Sequence, residues 1–573
     1  MDQLELDYIT VFPYGNQNLQ KAFWFDQEGF DAESMMADPE SFDPKGTLWK
    51  KFIKTCKIKL NSKTNFASLF DEEAGYLIDS FRDLLKLFKL RKLRKQELIL
   101  ACLNKKQAAK FTQITEEYFL SQLVESDSSL NAGVHVICKD TIYEEEAEAQ
   151  LKNVILTHKD VLFSIGMPDL HPGRGYPIGS SIITNEVIYP PLIGTDIGCG
   201  MSFIKTPIPS SKIKTKAIEK WAKRLRSIDT YLECDHEELA NFEFKWATEE
   251  NVPALKEFGK EFFNQIGTIG AGNHFCELQV FEEILDQEEF EKANFTEDSA
   301  YLLVHSGSRG YGKHVLDKFI TEYQQNGVKG FEPDTPEYDQ YLQEHDDACN
   351  FAKRNRACIA MRFIKELLGD SEALDEAEGE FNQEETKIDV QTDIKILDRL
   401  DCSIDIWHNY MEIEEKLIPT TQVDPLDEDW KSCDLIKQKV VIHRKGATPA
   451  DKGYVVIPGS RGSYSYLVKP LEENAWLSGY SLAHGAGRKM SRSKALAKGK
   501  HTHKNIESLL KTPLENRVVC ENKDLLYEEA PEAYKKVEDV VSDLEYFNLI
   551  KIIAVLKPVM TYKFKKDQRK NDK

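Results

Sequence analysis

Between residues 166 and 492 the chain repeatedly runs a short apolar segment into a polar motif flanked by glycine, asparagine or serine. The motifs cover Gly166–Gly179, Gly194–Gly200, Gly267–Glu277, Val304–Gly312, Trp407–Asn409, His443–Ala447, Pro458–Tyr466 and Ser481–Arg492. Glycine-bounded turns after strands carry polar side chains from distant stretches of sequence to a common rim. They recur with no fixed period, which excludes a solenoid or propeller. The intervening helices do not alternate regularly with the strands, which excludes a simple parallel doubly wound sheet. The pattern predicts an α+β fold with one large catalytic domain over residues 131–565.

Short strands are expected at His135–Cys138, Ser180–Thr184, Val187–Pro190 and Ile550–Leu556. Helices are expected at Glu144–Leu156, 211–227, 252–264 and Glu337–Leu368, the last carrying Asn355 and Arg356. Residues 1–130 differ in texture. They form an N-terminal extension of unassigned role, largely helical, with apolar residues at helical spacing from Glu72 to Leu103 and a basic run from Lys89 to Lys95. An acidic stretch at about 369–386 with few apolar residues reads as a surface insertion. Residues 566–573 read as a basic tail.

Composition narrows the function classes. A net charge of −21 excludes a generally basic nucleic-acid coat but permits a local basic cleft. Such a cleft has a candidate: Arg488 to Lys504 holds seven Lys or Arg and no acid. The eleven cysteines are scattered without CxxC pairs, which fits a reducing compartment and no disulfide framework. No apolar run is long enough to span a bilayer and the first residues lack a signal pattern, so no membrane partner and a cytoplasmic location are expected.

Two constellations carry chemistry. Asp196, Cys199, His274, His305 and His408 each sit in a glycine-, serine- or asparagine-flanked motif, and a carboxylate, a thiolate and three imidazoles together suit a divalent transition metal. Five ligands exceed a four-coordinate structural zinc site, and a thiolate shared between two ions is one arrangement they permit. The second constellation is phosphate-binding. Pro458–Ser463 and Gly485–Gly487 offer backbone N–H groups at close approach, with His443–Gly446 adding two cations for a second phosphate or an RNA backbone. Neither loop has the Walker or the dinucleotide-fold spacing, and no serine-hydrolase elbow is present. His484, ahead of two glycines, is a candidate nucleophile or general base. Alone, the same stretch also fits a glycine turn leading into a solvated basic helix.

The motifs MPDLHPG, DIGCG, GTIGAGNHFCE, HSGSRG, HNY, HRKGA, PGSRG, HGAGRKMSR and EEAPEAYK occur in this order over residues 131–563, and in that order the sequence resembles the RtcB family of RNA-splicing ligases. The resemblance implies a GTP- and Mn²⁺-dependent ligase that joins RNA 3′-phosphate or 2′,3′-cyclic phosphate ends to 5′-hydroxyl ends through a GMP-histidine intermediate. By resemblance His484 is the nucleophile, and Asp196, Cys199, His274, His305 and His408 hold two Mn²⁺ ions bridged by Cys199. A neutral imidazole must attack, so an acceptor should hold its other N–H. The implied GTP positions are Asn273, His274, Phe275, Cys276, Glu277, His408, Asn409, Pro458, Gly459, Ser460, Arg461, Ser465, His484, Gly485, Ala486, Gly487 and Lys563, the last contacting the guanine base.

Two positions depart from the common family pattern: Gly198 replaces Asn, and Arg461 replaces Met. The Gly198 form looks more like the branch coupled to a release-factor-H-like protein and tied to RNA repair. The implied partners are RNA with broken ends, such as tRNA halves or damaged RNA, together with a release-factor-H-like protein or an archease-like activator. Two other readings remain at this level: a metal-dependent cyclic phosphodiesterase without ligation, which needs neither His484 nor Lys563, and a catalytically silent RNA-binding scaffold, which needs no thiolate among imidazoles.

Overall fold

The computed structural model describes three strands before residue 103 and then residues 133–564, apart from 159, 226–242, 247–250, 253–256, 369–395, 398–399, 421–422, 427–429 and 431. The chain divides into Met1–Ser126 and Asp127–Lys573. In the first unit β1 (Tyr8–Pro13) pairs antiparallel with β2 (Lys21–Trp24) and parallel with β3 (Ile99–Cys102). The last of these strands corrects the expected helix at its C-terminal end. The rest of that helix, the basic run at 89–95, the acidic insertion and the basic tail lie outside the described residues.

The second unit is built on two sheets. The larger runs in the order β12 (Asp401–Trp407), β7 (Gly200–Pro209), β11 (Ser299–Ser306), β10 (Phe275–Ile284), β20 (Ile550–Tyr562), β17 (Ser465–Pro470) and β16 (Val455–Pro458), with β19 (Arg517–Val519) parallel to β20. The smaller runs β13 (Asn409–Pro419), β14 (Leu435–Lys445), β6 (Ile178–Thr184), β5 (Val161–His171) and β4 (Val134–Val136). Two short pairs complete the strands: β8 (Phe244–Lys245) with β9 (Asn251–Val252), and β15 (Ala447–Pro449) with β18 (Ser481–Ala483).

Strand periodicity explains the layering. Along β11, Tyr301 and Leu303 enter a core shared with Phe163 and Ile165 of β5 and with Val440 and Ile442 of β14, while Leu302 and Val304 enter a core with the helix Pro336–Leu368. Side chains alternate faces along a strand, and here both faces are covered, so β11 reads as a continuous apolar run. The smaller sheet repeats the device. Ile183 faces the shared core, and Ile182 packs under the helix Glu145–Thr157 with Leu151 and Val154. The result is a helix–sheet–sheet–helix sandwich, and each fully buried Leu or Ile in it contributes about 1.5–3 kcal/mol.

Most sequence-derived elements stand, with three changes. The expected strand Val187–Pro190 is an isolated bridge, Ile188 to Phe331, followed by a 3₁₀ turn at Pro190–Leu192, because Pro190 and Pro191 have no N–H for a ladder. The stretch expected as a helix at 252–264 is a 3₁₀ segment, Glu257–Gln265, preceded by β9. The glycine-rich block from Gly166 begins inside a strand: β5 continues to His171 and bulges between Gly166 and His171 where it pairs with β6.

Candidate metal centre and nucleophile site

Antiparallel pairing places five strand ends on one rim of the larger sheet. Gly200 at the start of β7 faces Ser306 at the end of β11 and Trp407 at the end of β12. Phe275 at the start of β10 faces His305, and Cys276 faces Tyr562 at the end of β20. Asp196 and Cys199 precede β7, His274 precedes β10, His305 closes β11, and His408 follows β12. All five expected ligands therefore converge, although they span more than 200 residues of sequence.

The distances are those of a shared centre. Cys199 Sγ lies 3.3 Å from His274 Nε2 and 3.4 Å from His305 Nε2. His305 Nε2 is 3.2 Å from His408 Nε2, and Asp196 Oδ2 is 2.9 Å from His274 Nε2. Two ligand groups overlap at Cys199: Asp196–Cys199–His274 and Cys199–His305–His408. The donor set fits a divalent transition metal on the observation that lone-pair nitrogens and sulfur face one another in a buried space. Asp196 Oδ1, on the carboxylate that meets His274, is buried without a partner among the described residues. Such an arrangement of acceptors calls for a cation between them.

Burial pulls the His305 and His408 imidazoles well below the usual range, with neighbouring imidazoles adding to the effect, so both are neutral and available as ligands. Burial pushes the Cys199 thiol well above its usual range, with Asp196 adding to it. For Asp196 burial acts upward, but His274 and Arg309 beside it hold the carboxyl below its ordinary value. His274 Nδ1 lies 3.0 Å from Ile269 O, which fixes the ring with Nδ1–H as donor and turns Nε2 toward the cluster.

The long helix Pro336–Leu368 holds this rim in place. Arg356, fully buried, donates to Ser202 Oγ, to Gly198 O at 2.9 Å and to Ser306 O at 3.1 Å, and forms an ion pair with Asp405. Asn355 accepts from Gly267 N–H at 2.8 Å and donates to Thr268 O, Ser306 Oγ and Gly307 O. One Asn–Arg pair thus ties together the loops bearing Cys199, His274 and His305. Gly198 lies against the same helix at φ +75°. A Cβ there would meet Cys349 Cα at 2.8 Å and Ala352 Cβ at 2.9 Å, which accounts for glycine at this position.

His484 follows β18 and lies beside the cluster, its ring centroid 4.9 Å from that of His408. Its Nδ1 is 2.6 Å from Asp169 Oδ2, and its backbone N–H donates to the same oxygen at 3.2 Å. Asp169, fully buried, is the acceptor that the sequence requires without naming. It lies inside the MPDLHPG motif, where the Asp was visible but not its partner, 315 residues away.

The expected nucleotide positions sort into three groups. The first lines the same rim. Pro458 O accepts Ala486 N–H at 3.0 Å, which lays the 458–465 loop against Gly485–Gly487. Ser465 Oγ and Glu277 Oε1 both accept from Gln279 Nε2. Asn409 bridges Asp196 O and Gly446 N–H. Lys563 Nζ donates to His274 O at 3.1 Å near the Phe275 ring, and burial brings its amine down to about 8. Asn273, Gly459 and Ser460 lie on these same loops. In the second group, Cys276 turns its fully buried side chain into the helix-facing core, leaving only its backbone for a ligand. The third is Arg461, which is 7% exposed and spends Nη2 on Leu526 O, while Nε and Nη1 have no partner among the described residues.

Two cations depart from expectation. Arg444, expected to grip a phosphate, is fully buried and paired with Glu412, with Tyr410, Ser481 and Tyr480 O around it. Arg488, in the basic run, pairs with buried Glu529 and donates to Glu528 O. Both are consumed internally, because a buried guanidinium needs acceptors for its donors. Lys489, Lys494 and Lys498 of the run are exposed.

Fold and site together define a sheet-sandwich protein with a candidate metal centre facing an aspartate-held histidine. Residues 150–250 and 235–564 match the family model described as tRNA-splicing ligase RtcB. The chain is 36% identical over 436 residues to the RNA-splicing ligase RtcB2 of Escherichia coli, covering 76% of this chain and 96% of that one. It is 28% identical to the tRNA-splicing ligase RtcB of Nanoarchaeum equitans, covering 77% and 97%, and 26% identical to RNA-splicing ligase RtcB homolog 1 of Entamoeba dispar, covering 76% and 87%. The chain belongs to the RtcB family.

Proposed function

We propose that this chain is an RNA ligase that joins a 3′-phosphate or 2′,3′-cyclic phosphate end to a 5′-hydroxyl end through GMP carried on His484. The observation that carries the reading is the Asp169–His484 pair beside the cysteine–histidine cluster. Asp169 retains the Nδ1 proton, which leaves the Nε2 lone pair free for attack. On this reading Nε2 bonds to the α-phosphorus of GTP, the bond to the bridging oxygen breaks, and pyrophosphate leaves. GMP then passes to the RNA 3′-phosphate, and the 5′-hydroxyl attacks that phosphate and releases GMP. A cyclic end is first opened by hydrolysis.

Asp196, Cys199, His274, His305 and His408 would hold two Mn²⁺ ions, which when bound supply positive charge to neutralise the triphosphate. Lys563, protonated at pH 7, would donate to the guanine base, with the 458–465 loop and the Gly485–Gly487 backbone along the nucleotide. Exposed Lys489, Lys494 and Lys498 would meet RNA phosphates. A release-factor-H-like or archease-like partner and a cytoplasmic location belong to the same proposal. No helix among the described residues is long and apolar enough to cross a membrane.

The test is incubation with Mn²⁺ and α-labelled GTP. An acid-labile, alkali-stable label on the protein, abolished in His484→Ala, is the expected result. RNA binding without any adduct overturns the ligase reading in favour of a scaffold, and opening of cyclic ends without an adduct overturns it in favour of a phosphodiesterase.

A further inference from the structure

Residues Glu528–Lys535 carry the EEAPEAYK motif, to which the metal and nucleotide readings give no role. In the fold it braces the loop behind His484. Lys489 N–H donates to Ala533 O at 2.9 Å, Lys535 N–H donates to Gly487 O at 3.0 Å, and Arg488 packs on the Tyr534 ring while pairing with Glu529. Lys535 alone of these residues also reaches across to β5. Its Nζ donates to Pro168 O at 2.9 Å and to Leu170 O at 2.7 Å, the two carbonyls that flank Asp169. The side chain is 9% exposed.

These contacts close a circuit. Asp169 holds the His484 ring and its backbone N–H. Gly487, at φ +67°, passes so close that a Cβ would fall on Asp169 O. Lys535 fastens Gly487 with its backbone and both neighbours of Asp169 with its ammonium. β5 bulges over this very stretch, so its ladder with β6 does not fix residues 167–170. Burial pulls the Lys535 amine down and the Asp169 carboxylate pushes back.

We infer that Lys535 is a positioning residue for the nucleophile, setting the geometry of His484 by clamping the carbonyls on either side of Asp169. The inference rests on the ligase reading. Among the contacts described, the Lys535 ammonium meets none of the five candidate ligand side chains and none of the expected nucleotide positions. Its ammonium replaces the missing ladder bonds at the bulge and keeps the Asp169 carboxylate aimed at Nδ1. A small loss of aim at a nucleophile is expensive in rate while leaving ground-state binding unchanged.

The test uses the full chain with Mn²⁺, comparing Lys535→Met, Asp169→Asn and the double variant. Lys535→Met should slow His484 adduct formation by about 10- to 100-fold with the KM for GTP within about twofold. Because it acts through Asp169, it should cost less than about threefold more when Asp169→Asn is already present. An RNA supplied with its 3′-phosphate already guanylylated bypasses His484, and Lys535→Met should seal it at nearly the unaltered rate, which also reports that the variant is folded. The inference is overturned by an adduct rate within about threefold of the unaltered chain, by effects that multiply in the double variant, or by loss of sealing on the pre-activated RNA. Absence of adduct from the unaltered chain overturns the ligase reading itself, and this inference with it.

Discussion

Replacing Asp169 with Asn removes one negative charge at a fully buried site and tests the orientation of His484 directly. The 2.6 Å contact to Nδ1 is charge-assisted, and such bonds contribute about 1.5–3 kcal/mol, or roughly a 10- to 150-fold loss of rate at 1.4 kcal/mol per decade. A second effect adds to it. Asn presents either a carbonyl or an amide NH₂ to Nδ1. With NH₂ facing the ring, Nδ1 becomes the acceptor, the proton moves to Nε2, and the attacking lone pair is lost. The same exchange in a serine-protease triad costs about 10⁴ in rate through the wrong tautomer. The expected fall therefore lies between about 10- and 10⁴-fold. The assay is single-turnover formation of labelled protein from α-labelled GTP at saturating nucleotide, with metal content and melting temperature measured alongside. Metal content should not change, because Asp169 touches none of the five ligand side chains among the contacts described. A rate within about threefold of the unaltered chain, with the fold intact, would refute the argument that Asp169 sets the tautomer.

Other expectations follow from neighbouring contacts. Arg356→Met removes the counter-charge of the buried Asp405 carboxylate, which keeps the Trp246 indole N–H, and frees the loops of Cys199 and His305; a loss of about 3–5 kcal/mol in stability and of bound metal is expected, read by denaturant unfolding and metal analysis. Metal affinity should depend on pH with a slope near one proton. Cys199, its pKa raised by burial, must lose a proton to bind, while His305 and His408, held neutral by burial, release none, so affinity falls about tenfold for each unit that pH drops below the thiol's range. A flat profile between pH 6 and 8 in a metal titration would contradict this. Gly198→Asn restores the common family residue but drives a side chain into the helix Pro336–Leu368; destabilisation of about 2 kcal/mol or more is expected in thermal melts, where an Asn tolerated without loss would mean that the helix can retreat.

The sequence determined the fold class, most element positions and the full set of candidate ligands, because each of these is local. The helix Pro336–Leu368 was legible to within one residue as the helix expected at Glu337–Leu368. The strands were legible from short apolar runs, and the ligands from the glycine-bounded motifs that carry them. Nothing local could pair residues across the chain. Asp169 and His484 lie 315 positions apart, and only the packing of β18 beside β5 of the smaller sheet brings them to 2.6 Å. Asn355 and Arg356 were visible as members of the expected helix, yet their role depends on which loops the helix covers. The same limit explains the errors. Arg444 and Arg488 looked like free cations because sequence reports charge, whereas the fold surrounds each with buried carboxylates and carbonyls that use it up. Whether a charged side chain serves a ligand or the protein itself is decided by desolvation and by the acceptors within reach, and tertiary structure alone sets both.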